Sequence, residues 1–109
     1  MANYENEHAR LLSKFREKGA PPVVFTVWTS NPPVKVEGLA IEIPADAEEY
    51  KVYDLTVADA ITLMFIPITF GEIPPLHSSV MWAGREHSVH TRLPIRPAGI
   101  AIATRVLLV

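Results

Sequence analysis

The apolar positions near the start of the chain repeat at the spacing of an α-helix. Five side chains form this stripe: Tyr4, His8, Leu11, Leu12 and Phe15. The pattern ends at Gly19, a residue type that suits the position after a helix, and the prolines at 21–22 prevent continuation. The pattern therefore predicts a helix over residues 3–18, whose apolar stripe lies on a sheet or on a neighbouring subunit.

From residue 23 onwards, the pattern changes to the two-residue alternation of β-strands. Strands are predicted over residues 23–28, 34–43 and 60–70. Pro67 marks an edge, a bulge or the end of the last of these, because proline donates no hydrogen bond to a sheet. Within 34–43 the apolar positions change parity at Gly38. One extra residue at a glycine is typical of a β-bulge, so we predict a single bent strand there.

The last third of the chain predicts a hairpin followed by a long strand. Residues 78–92 alternate on both sides of Ala83-Gly84, where glycine can adopt the positive φ of a tight turn. The second hairpin strand is expected to place four residues on one face: His87, Val89, Thr91 and Leu93. Residues 100–109 are apolar on both faces, so both should be covered. We expect a neighbouring subunit to cover this strand, because an open apolar edge promotes aggregation.

These elements predict a mainly β fold in one domain over residues 1–109. The expected architecture is a small β-barrel or sandwich of five to six mostly antiparallel strands, with one N-terminal α-helix. The helix occupies residues 1–19 and the strands occupy residues 23–109. A variable, acidic loop over residues 44–59 separates the second predicted strand from the next one.

Composition narrows the class of protein further. The chain has 109 residues and no cysteine, which excludes disulfides and thiolate metal sites and is consistent with a reducing compartment. The polar N-terminus argues against a signal peptide, and the apolar runs are too short for a transmembrane helix. The net charge of −2 gives no indication of nucleic-acid binding.

Charge is distributed unevenly along the chain. Residues 37–59 hold seven acidic side chains and one lysine, whereas residues 85–105 hold four arginines and one glutamate. The arginines are Arg85, Arg92, Arg96 and Arg105. Such a distribution fits ordinary solvated surface. It also fits patches of opposite sign that meet in a repeated head-to-tail contact, as a ring requires.

The residues with catalytic or metal-binding chemistry do not form a site in the sequence. His77, His87 and His90 are the main candidates, but in a regular strand His87 and His90 point to opposite sides and cannot bind one ion. Trp28 and Trp82 are predicted to be core or half-buried aromatics, since no basic residues accompany them. We therefore expect a building block and not an enzyme, with no metal and no cofactor.

The order of the elements supports a more specific prediction. A helix with a Leu-Leu-x-x-Phe ending precedes two strands, a variable loop, a strand ending in proline, a hairpin and a Pro-Ala-Gly turn. The pieces are residues 11–15, 23–28, 38–43, 63–67, 74–75, 80–84, 89 and 97–99. In these pieces the chain resembles the small head-closure and head–tail joining (neck, or stopper) proteins of long-tailed bacteriophages. It departs from their pattern at His77-Ser78 and His87.

The resemblance implies a virion protein of the head–tail interface, made in the host cytoplasm. Such a protein forms a homo-oligomeric ring, expected here to be six-fold, below the portal and adaptor proteins and above the tail terminator or tail tube. The ring seals the DNA channel and docks the tail. Its variable loop faces the lumen, where phage DNA passes without sequence specificity. The implied lumen residues are Asp46, Glu48, Glu49, Tyr50, Asp54 and Asp59.

Contacts between subunits of such a ring are expected from three parts of the chain. These are the arginine-rich segment, the terminal strand and the helix stripe. The candidate interface residues are Arg85, Arg92, Arg96, Arg105, Leu107, Val109, Leu11 and Phe15.

Three other functions stay open on the sequence alone. Another neck or tail component, such as an adaptor or a tail terminator, would differ only in its position in the virion. A small ligand-binding β-barrel would enclose a cavity. A histidine-based metalloenzyme would hold metal through His77, His87 or His90.

Overall fold

The N-terminal helix is the first element of the fold. A computed structural model of the chain describes residues 4–43, 61–96, 99 and 101–109, in which α1 spans Tyr4–Glu17. Gly19 has a φ of +73° and donates its N–H to the Arg16 carbonyl at 3.0 Å, while Ala20 donates to the Phe15 carbonyl at 3.0 Å. These two bonds form a Schellman motif that ends the helix. The predicted helix and its glycine stop are confirmed.

A buried histidine fixes α1 to the sheet. His8 is 5% exposed, and its Nε2 donates to the Pro67 carbonyl over 2.6 Å. A carbonyl oxygen only accepts hydrogen bonds, so Nε2 carries the proton. The His8 ring also lies against Phe70, with the ring centroids 5.4 Å apart. His8 is therefore a packing residue, and its bond holds the helix at the end of a strand.

The described residues form six strands that close into an antiparallel barrel. The strands are β1 (Pro22–Val27), β2 (Val34–Ile43), β3 (Ile61–Pro67), β4 (Ser79–Trp82), β5 (Arg85–Ile95) and β6 (Ala103–Leu108). Their order around the barrel is β1-β2-β3-β6-β5-β4. The mainly β fold with one N-terminal helix is confirmed, and the barrel is the correct choice between the two predicted architectures.

Side chains of the chain itself fill the barrel interior. Phe25, Phe65, Leu63, Val89 and Val106 belong to one buried cluster, and each is 0% exposed. The rings of Phe25 and Phe65 meet edge to face, with centroids 4.9 Å apart. A second cluster lies outside the barrel wall, between the helix and β2–β3. It contains Leu12, Phe15, Leu39 and Ile66.

The predicted bulge at Gly38 is wrong. The pairing of β1 with β2 passes through Val23↔Gly38 and Pro22↔Leu39 without a shift. The change of parity in the sequence has another cause. Up to Gly38 only one face of β2 is buried, whereas from Leu39 onwards α1 also covers the outer face. Apolar residues therefore occupy both parities in a regular strand.

A bulge occurs instead in β5, where the pairing with β6 shifts between Val89 and Thr91. Val89 pairs with Leu108 of the interior cluster, whereas Thr91 pairs with Leu107, which has the opposite parity in β6. The predicted common face of His87, Val89, Thr91 and Leu93 is therefore wrong. The extra residue turns the second half of β5 over, so that Leu93 is 61% exposed.

The predicted hairpin and terminal strand are present in the structure. Ala83 and Gly84 have φ values of 51° and 79°, as a two-residue hairpin turn requires. β6 lies between β3 and β5, and Leu107 is 1% exposed. Pairing with β3 and β5 removes the edge, and β6 residues of both parities, Val106 and Leu107 among them, are buried within the single chain. This strand therefore does not need the neighbouring subunit that the sequence led us to expect.

Candidate functional site

The six predicted lumen residues lie outside the described part of the chain. They are Asp46, Glu48, Glu49, Tyr50, Asp54 and Asp59, and residues 44–60 are not described. Their place in a lumen stays a prediction from the resemblance. Two other members of the acidic segment, Glu37 and Glu42, lie on β2 and are exposed.

The four arginines do not form one surface. Arg85 is exposed at the hairpin turn, and Arg96 is exposed beyond the opposite end of β5. Arg92 is half-buried and donates from Nη1 to the Pro74 carbonyl at 2.6 Å. Arg105 is half-buried in β6, where it pairs with Met64 on one side and Leu93 on the other. Arg85 and Arg96 are therefore the more accessible of the four.

The apolar interface candidates divide into covered and accessible residues. Phe15 and Leu107 are 6% and 1% exposed within the single chain, so neither offers a surface to a second subunit. Leu11 is half-buried beside a groove described below, and Val109 is 39% exposed. Val109 exchanges two backbone hydrogen bonds with Ser88, which continue the pairing of β5 and β6 to the last residue.

The histidines of the hairpin region do not converge. His87 is 8% exposed, whereas His77 and His90 are exposed. Within the ranges that the structure describes, no group of three histidine, aspartate or glutamate side chains is placed to hold a metal ion. Ser78 is fully buried, and its hydroxyl donates to the Pro75 carbonyl at 2.6 Å. This serine holds the loop that precedes β4.

An apolar surface lies on the outer face of β1 and β4, which we call the hairpin patch. Its three large members are Val24, Trp28 and Met81, which are 40%, 64% and 59% exposed. The same shallow groove is also lined by Thr26, Ser79 and Glu86. Trp28 follows the end of β1 and is exposed, so its predicted place in or near the core is wrong. Trp82 is half-buried against the interior cluster, as expected.

A second apolar surface, the helix groove, lies between α1 and the strands β5 and β6. Leu11, Ile95 and Ile102 supply its apolar walls, and the groove encloses about 330 Å³. Its other lining residues are Glu7, Arg10, Lys14 and Ala103. Leu93 lies two residues before Ile95 on the same outer face of β5 and extends the exposed apolar area.

Sequence reasoning did not identify Trp28 and Met81 as surface residues. The alternation along β1 could have identified Trp28 as an outer-face residue. Val24, Thr26 and Trp28 alternate with the interior residues Val23 and Phe25. A strand that is apolar on both faces has two explanations: it is covered on both sides, or it presents one face to a partner. The structure shows that this face of β1 is exposed.

The described residues form a small closed β-barrel whose interior holds packed side chains, and the hairpin patch and the helix groove are exposed apolar areas on it. No family model matches the chain, and neither a curated protein nor a solved structure was found to be similar to it. In the described part of the chain, α1 is too short and too polar to cross a membrane.

Proposed function

We propose that the chain is a structural protein of the neck of a long-tailed bacteriophage. In this role it is the subunit of a head-closure (stopper) or head–tail connector ring, which seals the DNA channel below the portal and adaptor and docks the tail. The observation that carries the proposal is the order of elements. One helix, three strands, a hairpin and a final strand follow one another as the resemblance implies, and they close into one barrel.

The filled interior also supports a structural role over a ligand-binding barrel. A binding site inside a barrel needs unoccupied space of several hundred cubic ångströms. Here Phe25, Leu63 and Phe65 occupy the interior, whereas the hairpin patch lies on the outer face of the barrel. Exposed apolar areas are typical of protein–protein contacts. A subunit that joins copies of itself and other neck proteins uses its surface in this way.

The acidic loop at residues 44–59 gives the ring its contact with DNA. A negative lumen repels DNA phosphate, so the genome slides through without adhering to the wall. The ring, proposed to be six-fold, has the portal and adaptor on one side and the tail terminator or tail tube on the other. An adaptor or tail terminator has the same requirements for self-assembly, and only its position differs.

Labelled particles test whether the chain lies at the head–tail junction. In virions that carry the chain with a small peptide tag, we expect the label at the head–tail junction in electron micrographs. Without the chain, we expect filled heads that lose DNA and tails that stay separate, since the channel has neither its seal nor its docking platform. Supplying the chain in trans restores joined particles. A label on the capsid shell or tail tip, or normal joining without the chain, would contradict the proposal.

The lumen loop is tested by reversing its charge. In Glu48→Lys/Glu49→Lys particles we expect impaired DNA retention or slower ejection, because lysines attract the phosphates that pass them. Glu5→Lys/Glu17→Lys makes the same change in total charge on α1, where both residues are exposed, and serves as the control. If retention, ejection and assembly are all unchanged in the loop variant, the loop does not line the DNA path.

A further inference from the structure

The hairpin patch and the helix groove are separate surfaces that share no lining residue. Glu86 of the hairpin patch lies at the start of β5, whereas Ile95 of the helix groove lies at the end of that 11-residue strand. The hairpin patch lies on β1 and β4, and the helix groove opens at the start of β6 and the end of β5. A contact between two unlike, separate surfaces of one molecule repeats from copy to copy, so it forms a ring or a filament.

The two surfaces also differ in charge. The only charged residue that lines the hairpin patch, among those described, is Glu86. The helix groove has Arg10 and Lys14 against Glu7, which leaves it with an excess of positive charge. The hairpin patch and the helix groove are therefore complementary in sign.

We propose that the hairpin patch of one copy of this chain docks into the helix groove of the next copy. Trp28 and Met81 supply the anchors, as aromatic and methionine side chains are enriched at the centres of protein interfaces. Leu11 and Ile95 receive them, and Glu86 comes to lie beside Arg10 or Lys14. The inference rests on the proposed function only for the closure of this contact into a ring.

A two-fold dimer through either surface is disfavoured by the same charges. Hairpin patch against hairpin patch brings the Glu86 side chains of two copies together. Helix groove against helix groove brings together two surfaces that each carry the excess of Arg10 and Lys14 over Glu7. Like charges that face each other across an interface weaken it, whereas the head-to-tail contact pairs opposite charges. The partner is therefore a second copy in a head-to-tail contact, and the two copies are not related by a two-fold axis.

Single thiols test this contact cleanly, because the native chain has no cysteine. Ser79→Cys places a thiol in the hairpin patch, and Leu93→Cys places one beside the helix groove, so Trp28 and Met81 stay in place. Each purified full-length variant is incubated alone and mixed with the other, in the presence of a short bis-maleimide. We expect a linked dimer in the mixture and little in either variant alone.

A control pair separates contact from random collision. Ile68→Cys and Leu76→Cys introduce thiols at positions that are 48% and 46% exposed but lie in neither surface. Linking of the Ser79 and Leu93 variants at no more than the level of this pair overturns the inference. Equal linking of either variant with itself overturns it too, because that result indicates a two-fold contact.

Charge reversal checks that the link reports the proposed pairing. Adding Glu86→Lys to the Ser79→Cys chain should lower the linked yield about tenfold, because the new lysine faces Arg10 and Lys14. Adding Lys14→Glu to the Leu93→Cys chain should then restore most of the yield. If Glu86→Lys leaves the yield unchanged, the hairpin patch does not face the helix groove.

The failure of this inference is distinguishable from that of the proposed function. If the head–tail junction carries the label while the thiols do not link, the neck assignment stands and the subunit contact is a different one. If the thiols link while particles join normally without the chain, head-to-tail self-association stands and the neck assignment falls.

Discussion

Alanine in place of Gly38 is expected to lower the free energy of unfolding by more than about 3 kcal/mol, beyond the usual range for one added methyl group in a core. A Cβ at this position collides with the Ile66 carbonyl oxygen and comes within 2.6 Å of the Phe65 ring. The ring can shift, but the carbonyl belongs to the backbone of the neighbouring strand. Relief therefore requires β2 and β3 to separate. Urea unfolding followed by circular dichroism measures the loss.

Gly71→Ala is the matched control for this prediction. Gly71 has a φ of +90° and no atom within 4 Å of its would-be Cβ, so alanine there adds backbone strain without a collision. The expected cost is about 1–2 kcal/mol, the usual penalty for a left-handed conformation in a residue with a side chain. If Gly38→Ala costs no more than Gly71→Ala, the close approach of the two strands at Gly38 does not constrain the barrel.

Gly38 also shows where sequence reasoning about this fold succeeds and where it fails. The helix and the hairpin turn are predictable because each has a local cause, and Pro67 indicates an edge, a bulge or a strand end, of which the structure shows the end of β3. The local signals are a helical stripe with a glycine stop, a turn with positive φ, and a proline without a donor. The parity change at Gly38 predicts a bulge if it is taken as a local event, but the structure has no bulge there. The cause of the parity change is the packing of α1 on the outer face of β2, which involves residues far apart in sequence.

The prediction of a regular β5 fails because the bulge in this strand has no signal in the local sequence. A bulge at a non-glycine residue has no strong local signal, and Val89, His90 and Thr91 all suit a regular strand. The position of the bulge is set by the pairing of β5 with β6. Val89 faces the interior opposite Leu108, and the next pair, Thr91 with Leu107, has the other parity. One missed shift changes the face of every later residue in the strand, Leu93 and Ile95 included.

The candidate surfaces were less predictable than the fold. The arginine-rich segment looked continuous in sequence, but β5 carries Arg85 and Arg96 to opposite ends. Leu107 is an interface candidate in the sequence because β6 is apolar on both faces, yet it is 1% exposed within the single chain. Which apolar side chains remain exposed depends on where α1 packs and how the sheet closes. Trp28 and Met81 became candidates only through that tertiary information.

The largest loss in the barrel interior is expected at Phe65. Its ring is fully buried and meets Phe25 edge to face, so Phe65→Ala removes the ring from the centre of the interior cluster. We expect the free energy of unfolding to fall by about 3–5 kcal/mol, the usual range for truncating a buried phenylalanine. That is a large part of the total stability of a small domain, which is about 5–15 kcal/mol. The urea midpoint of the variant measures it.

Phe65→Leu separates lost volume from the lost ring contact. Leucine retains much of the apolar volume and should cost less than alanine, since the cavity that it leaves is smaller. A double-mutant cycle with Phe25→Leu then isolates the ring pair, and we expect a coupling of about 0.5–1.5 kcal/mol. A Phe65→Ala variant within about 1 kcal/mol of the parent, far below the usual cost of such a truncation, would mean that the barrel collapses around the missing ring. In that case the interior is not the rigid support on which the hairpin patch and the helix groove are built.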